Sequence, residues 1–251
     1  MNSPIDSIDD IGAASAARLQ QVRLRIEQAA RAAGRDPAEV RLLAVSKTFG
    51  AEAVAALARC GQIEFGENYV QEGVAKMAAL RAGWPALCWH FIGPLQSNKT
   101  RDVAAGFDWV HSIDRLSVAQ RLSAQRGAPA GGVAGAPLQV CLQVNVSGEA
   151  SKSGVSPEEL PGLAREVARL PGLRLRGLMA IPAPAVELAA QREPFARLRE
   201  LRDQLVAHQG LALDTLSMGM SADLEAAVLE GATIVRVGSA LFGERPRRAG
   251  P

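Results

Sequence analysis

Aromatic residues make up only 4% of this 251-residue chain, and there is a single tyrosine, Tyr69. Chemistry that needs a tyrosine to move protons therefore has one candidate. Cysteine is as sparse: Cys60, Cys88 and Cys141 lie far apart, with no C-x-x-C spacing. Free thiols in a reducing compartment are expected, not disulfides or a zinc site. The three histidines, His90, His111 and His208, are scattered too, so no metal site is expected. No apolar run approaches the roughly 20 residues of a membrane span. The N-terminus opens with Asp6, Asp9 and Asp10 and lacks the basic-then-apolar pattern of a signal peptide. A net charge of +2 is too small for a dedicated nucleic-acid surface. A cytoplasmic protein without nucleic-acid or membrane partners is the expectation.

Hydrophobic residues are abundant, at 48%, so a sizeable core is within reach. Residues 12–33 read as an amphipathic helix with Leu19, Val22, Ile26 and Ala30 on one stripe, ended by Gly34 and Pro37. Short apolar strands follow near 41–47, 62–66, 87–93, 108–112, 138–146, 174–181, 213–219 and 233–238. Helical patterns lie between most of them, as at 51–60, 115–126, 157–170 and 192–209. Such alternation implies a parallel sheet. Eight units predict an α/β fold, a single (β/α)8 TIM-type barrel with an extra N-terminal helix. An open doubly wound sheet competes, but it usually uses fewer strands, and the dinucleotide glycine fingerprint is missing. One domain is expected over 1–251, with the barrel over about 40–243. The low-complexity stretch 127–137 reads as a surface loop remote from the strand C-terminal ends, and 244–251 as a short polar tail.

Barrel active sites lie at the strand C-terminal ends, and the unusual polar residues cluster there. Lys47 ends the first apolar run, Leu42–Val45. A buried ammonium must reach water, pair with an anion, or lose its charge in a covalent bond such as an imine with an aldehyde. Glu67 and Asn68 follow strand two, and His90 lies within strand three. His111 and Ser112 end strand four, Asn145 lies near the end of strand five, and Met179 ends strand six. His90 and His111 read better as satisfied core histidines than as site residues. Asn68 lines a pocket or ties down its loop, with the pocket preferred. Met179 packs on a cofactor ring or fills the barrel. Lys99 reads as a surface charge, and Lys152 leans towards a functional role.

The last two strands point to an anion. Ser217, Gly219 and Ser221 follow strand seven, with Ser221 as the expected N-cap of a helix over 222–230. Arg236, Gly238 and Ser239 lie at strand eight, and Gly243 follows. Backbone N–H groups at glycine turns and helix starts favour phosphate, and loops seven and eight are the usual phosphate site of this fold. Strands eight and one are neighbours in a closed barrel. A phosphate site facing Lys47 therefore suggests pyridoxal 5′-phosphate (PLP), the vitamin B6 cofactor.

These segments together resemble the pyridoxal phosphate homeostasis protein family. The resemblance runs through Ala44–Thr48, Phe65–Glu72, Trp89–Lys99, Gln143–Val146, Ser151–Gly154, Gly177–Pro182, Leu216–Ser221 and Val235–Gly238. It implies that Lys47 carries PLP as an internal aldimine and that the phosphate rests on Ser217, Ser221, Gly238 and Ser239. By similarity to the barrel domain of alanine racemases, it puts Arg236 near the pyridine nitrogen. Arginine can only donate, so the ring nitrogen would stay unprotonated and the site would stabilise a carbanion poorly. The expected function is PLP homeostasis without a robust reaction of its own, with no catalytic residues and with apo PLP-dependent enzymes as transient partners. The chain is expected as a monomer or weak dimer. An amino-acid racemase is the alternative, although the second, β-rich domain of such enzymes has no room here. A Schiff-base aldolase using Glu67 is a third, weaker reading.

Overall fold

The structure, a computed structural model, describes residues 4–127, 136–148 and 153–243, the side chains of 4–12 and 127 aside. Most of the 127–137 stretch, Lys152 and the 244–251 tail lie outside the described residues. Eight strands pair in chain order, all parallel: β1 (Arg41–Val45), β2 (Glu64–Glu67), β3 (Cys88–Phe91), β4 (Trp109–Ile113), β5 (Leu138–Gln143), β6 (Leu173–Met179), β7 (Thr215–Ser217) and β8 (Ile234–Val237). Leu42 of β1 pairs with Val235 of β8 and closes the barrel. The helices are α1 (Pro4–Ala32), α2 (Ala51–Arg59), α3 (Val70–Leu80), α4 (Thr100–Gly106), α5 (Leu116–Gly127), α6 (Leu160–Ala168), α7 (Leu188–Gln209), α8 (Leu224–Leu229) and α9 (Ser239–Phe242).

The strands read as apolar runs because both faces are covered. On β1, Ala44 joins the large core under the helices, while Leu43 and Val45 meet Ile92 and Ile234 in a separate cluster inside the barrel. A second interior cluster is Trp109, Cys141 and Met179. In the outer core, Phe91 and Phe107 stack edge to face at 5.5 Å, both fully buried. Truncating either to alanine would cost about 3–5 kcal/mol.

Helix α1 buries the expected stripe, Leu19, Val22, Ile26 and Ala30, against the barrel. It starts at Pro4, not near residue 12. Proline at a first helical position and acids in the first turns suit a helix start, but they carry no apolar period to betray it. The helix reaches the barrel mouth: Arg25 forks onto Glu225 at 2.7 and 2.9 Å and donates to the Ser221 carbonyl at 3.0 Å.

Strands β1 and β7 are shorter than the expected 41–47 and 213–219. Strand β1 ends at Val45 and β7 spans only Thr215–Ser217. The eighth helix spans Leu224–Leu229 with Asp223 at its N-cap position, so Ser221 is not its cap. The Met220 N–H donates to Asp223 Oδ1 at 2.6 Å, and this turn takes up the residues before the helix.

Candidate functional site

Lys47 lies two residues beyond β1, in a tight turn at the barrel mouth. The next residue, Thr48, has φ +71°. A β-branched residue in the left-handed region is strained by roughly 1–3 kcal/mol and persists only where its surroundings hold it. The holders are charged. Glu72 Oε1 accepts the Thr48 N–H at 2.6 Å and the Lys76 ammonium at 2.6 Å. Lys76 also donates to the Ser46 carbonyl and to Glu67 Oε1, both at 2.7 Å. The Ser46 hydroxyl donates to the same Glu67 oxygen at 2.6 Å. Both neighbours of Lys47 are thus tied to one buried cluster. Burial pushes the Glu67 carboxyl up, against the lowering pull of Lys76 and Ser46.

Above this turn a cleft of about 380 Å³ opens between the ends of β1 and β8. Lys47, Asn68, Ser221, Arg236, Gly238 and Ser239 line it, with apolar walls from Val45, Phe49, Ile92 and Ile181. Phe49 stacks on Phe242 at 4.9 Å and ties the Lys47 loop to α9. The Ser239 and Ser221 hydroxyls meet at 3.3 Å. At Gly238 an added Cβ would approach the Val45 carbonyl to 3.3 Å, so glycine lets the end of β8 pass close to β1. Asn68 Oδ1 is buried without a hydrogen-bond partner among the described residues. Two cations and, among the described residues, no carboxylate line this cleft.

Arg236 forms part of its floor and is 3% exposed. Its Nη1 donates to the Ser217 hydroxyl and its Nη2 to the Ala180 carbonyl, both at 2.9 Å. Burial lowers its pKa to about 10, while Asp223 and Cys141 oppose the fall. Ser217 Oγ lies 2.7 Å from His111 Nδ1, and His111 Nε2 lies 2.9 Å from His90 Nδ1. Both imidazoles are fully buried and held well below their ordinary pKa, first by burial; His90 and the arginines Arg236 and Arg41 add to this at His111, and Arg41 at His90.

The residues expected at the cofactor divide into two groups. Lys47, Asn68, Ser221, Arg236, Gly238 and Ser239 share the cleft. Met179, Ser217 and Gly219 do not line it. Met179 is fully buried against Trp109 and Cys141, which favours the barrel-filling reading. Ser217 turns its hydroxyl into the interior chain. Gly219 has φ +88°, and a Cβ there would meet the Ala227 side chain at 2.5 Å, so the turn itself requires glycine. His90 and His111 are satisfied core residues, as expected. Glu67 is wholly buried and committed to Lys76 and Ser46, away from the cleft, which removes the aldolase assignment of that residue. Lys99 ends a short 3-10 turn outside the cleft. The cysteines are free, and no cluster of metal-ligating residues occurs among the described residues. No helix there is long and apolar enough to cross a membrane. Glu72 and Lys76 were missed as contributors; their i,i+4 spacing is visible, but their target is not.

A sequence profile described as the alanine racemase N-terminal domain matches residues 17–246. A pyridoxal phosphate homeostasis protein of Pseudomonas aeruginosa is 63% identical over 230 residues, 92% of this chain and 95% of that protein. The chain belongs to the pyridoxal phosphate homeostasis protein family. The structure of PipY from Synechococcus elongatus PCC7942 with PLP bound is similar, at 37% identity and a TM-score of 0.78 over 91% of this chain and all of that one. The alanine racemase of Corynebacterium glutamicum shares the barrel alone: 17% identity and a TM-score of 0.66, with 97% of this chain but 64% of the racemase covered.

Proposed function

We propose that the cleft holds PLP through Lys47 and that the protein buffers or supplies this cofactor without robust catalysis of its own. One observation carries the reading: a lysine on a constrained turn, a buried arginine and two hydroxyls share one carboxylate-free cleft among the described residues. When bound, PLP supplies an aldehyde that a lysine amine can hold covalently and reversibly. Lys47 is the residue to hold it. Ser221, Gly238 and Ser239 are the residues to hold the phosphate, and Arg236 the one to meet the ring nitrogen. Asn68 brings an unpartnered oxygen. Two cations over an anionic ligand match in charge.

The cleft's composition favours a carrier. A racemase needs an acid/base on each side of the reacting carbon. Among the described residues no carboxylate, histidine, cysteine or tyrosine lines the cleft, and Tyr69 is 57% exposed outside it. Release to apo PLP-dependent enzymes is the role such a reversible hold suits.

Titration of the purified protein with PLP, followed by visible absorbance, tests this. A saturable band is expected in the wild type and its loss in Lys47→Ala, with stability altered by less than about 1 kcal/mol. Deuterium exchange at the α-carbon of amino acids separates the roles; rapid exchange would establish the racemase alternative.

A further inference from the structure

The chain Arg236–Ser217–His111–His90 has only one consistent proton order. We propose that Arg236 sets this order and that Ser217 and His111 in return act as positioning residues, holding its guanidinium at the cleft floor for the PLP ring. The proposal rests on the PLP reading above.

Arginine has no acceptor. Ser217 Oγ, 2.9 Å from Nη1, must therefore accept there. Its one proton is left for His111 Nδ1 at 2.7 Å. That nitrogen is then bare, and the neutral ring carries its proton on Nε2. This N–H donates to His90 Nδ1 at 2.9 Å. His90 in turn carries its proton on Nε2, which faces Cys88 Sγ at 3.3 Å and, farther off, Glu64 Oε2 at 3.9 Å. Each contact then has one donor and one acceptor. With the order reversed, Ser217 would face two donors, and its own proton would have no acceptor among the described residues. An imidazolium at His111 would do the same and add a second cation beside Arg236.

The groups around the two rings support the neutral order. Trp109 stacks on His90 at 5.3 Å and meets His111 edge-on at 5.8 Å. Arg41 lies below, over the Trp109 ring and paired with Glu64. Arg176 covers the same ring, paired with Asp214. The interior is thus walled by an aromatic ring and by cations already paired. At the other end, Ala180 O takes Nη2, so two fixed acceptors orient the guanidinium plane. Among the described residues its remaining N–H groups have no partner.

Long-range proton–nitrogen correlation spectra of the ligand-free protein test this. Only three histidines need assigning, and His208 is exposed. Protons on Nε2 of both His90 and His111 are expected in the wild type at neutral pH. Ser217→Ala should populate the other tautomer at His111 and weaken PLP binding by about tenfold. Ser217→Thr, which keeps a hydroxyl, should restore both. A proton on His111 Nδ1 in the wild type would overturn the proposal, as would Ser217→Ala leaving tautomers and affinity unchanged. A wild type with the expected tautomers that binds no PLP would sink the positioning role together with the PLP reading, while the proton order would stand.

Discussion

Two buried cations flank the cleft, and they are held by opposite means. Lys76 lies among ions: Glu67 and Glu72 each accept from it at 2.7 and 2.6 Å. Arg236 lies among neutral acceptors, the Ser217 hydroxyl and the Ala180 carbonyl, with no carboxylate in contact among the described residues. The first arrangement has satisfied its charge and serves to fix backbone, pinning the residues on both sides of Lys47. The second leaves a cation only partly satisfied and open to the cleft. A charge meant to stay silent is neutralised in place; a charge meant for a ligand is surrounded by neutral dipoles.

Removing each cation breaks the comparison most sharply. Lys76→Met leaves two carboxylates facing each other without their shared partner. A loss of about 3–5 kcal/mol is expected in urea unfolding, with PLP capture weakened as the Thr48 turn relaxes. Arg236→Met leaves only neutral acceptors behind, so about 1–3 kcal/mol is expected. Equal losses would show that the two cations are held alike.

Acidification should single out the neutral side. His90 and His111 have native pKa values well below their unfolded value of about 6.5. Their contribution is fully present above that value and is lost as pH falls below it, by about 1.4 kcal/mol per pH unit for each ring. Glu64 and Glu67, both raised by burial, act in the opposite sense, because their native carboxyls take up protons first. Urea midpoints at pH 6.5 and 5.5 should therefore differ in the wild type, and His111→Gln should flatten the difference.

The smallest effect concerns the strained turn. Asparagine tolerates the left-handed region better than threonine. Thr48→Asn should hold or raise stability, by up to about 1 kcal/mol, with the Glu72 contact intact. A marked loss in thermal unfolding would mean that Thr48 contributes through its side chain.

The fold was legible because parallel strands buried on both faces leave uninterrupted apolar runs, and eight of them imply closure. Lys47 was legible as a charge ending such a run. The end of β1 was not, because the Ser46 N–H still reaches the Gly66 carbonyl of β2 at 3.0 Å, and no residue type marks where the strand gives way to the turn. The Glu72–Thr48 contact was hidden because a threonine argues against positive φ, and only the folded cluster overrides that preference. The histidine chain was hidden for a different reason. His111 and Ser217 are 106 residues apart and meet only across a closed barrel. Local irregularities at Val110/Ile113 and Val140/Cys141 also shift the register that would have to be guessed. The loop position of Ser217 suggests a phosphate ligand, but its hydroxyl meets His111 and Arg236 instead.

Borohydride trapping tests the central claim most directly. The protein is incubated with PLP, reduced, digested and mapped by mass spectrometry. The account predicts a pyridoxyl adduct on Lys47, formed at PLP concentrations that leave Lys76 and Lys99 unmodified. An unmodified Lys47 beside an adduct on any other lysine would contradict it.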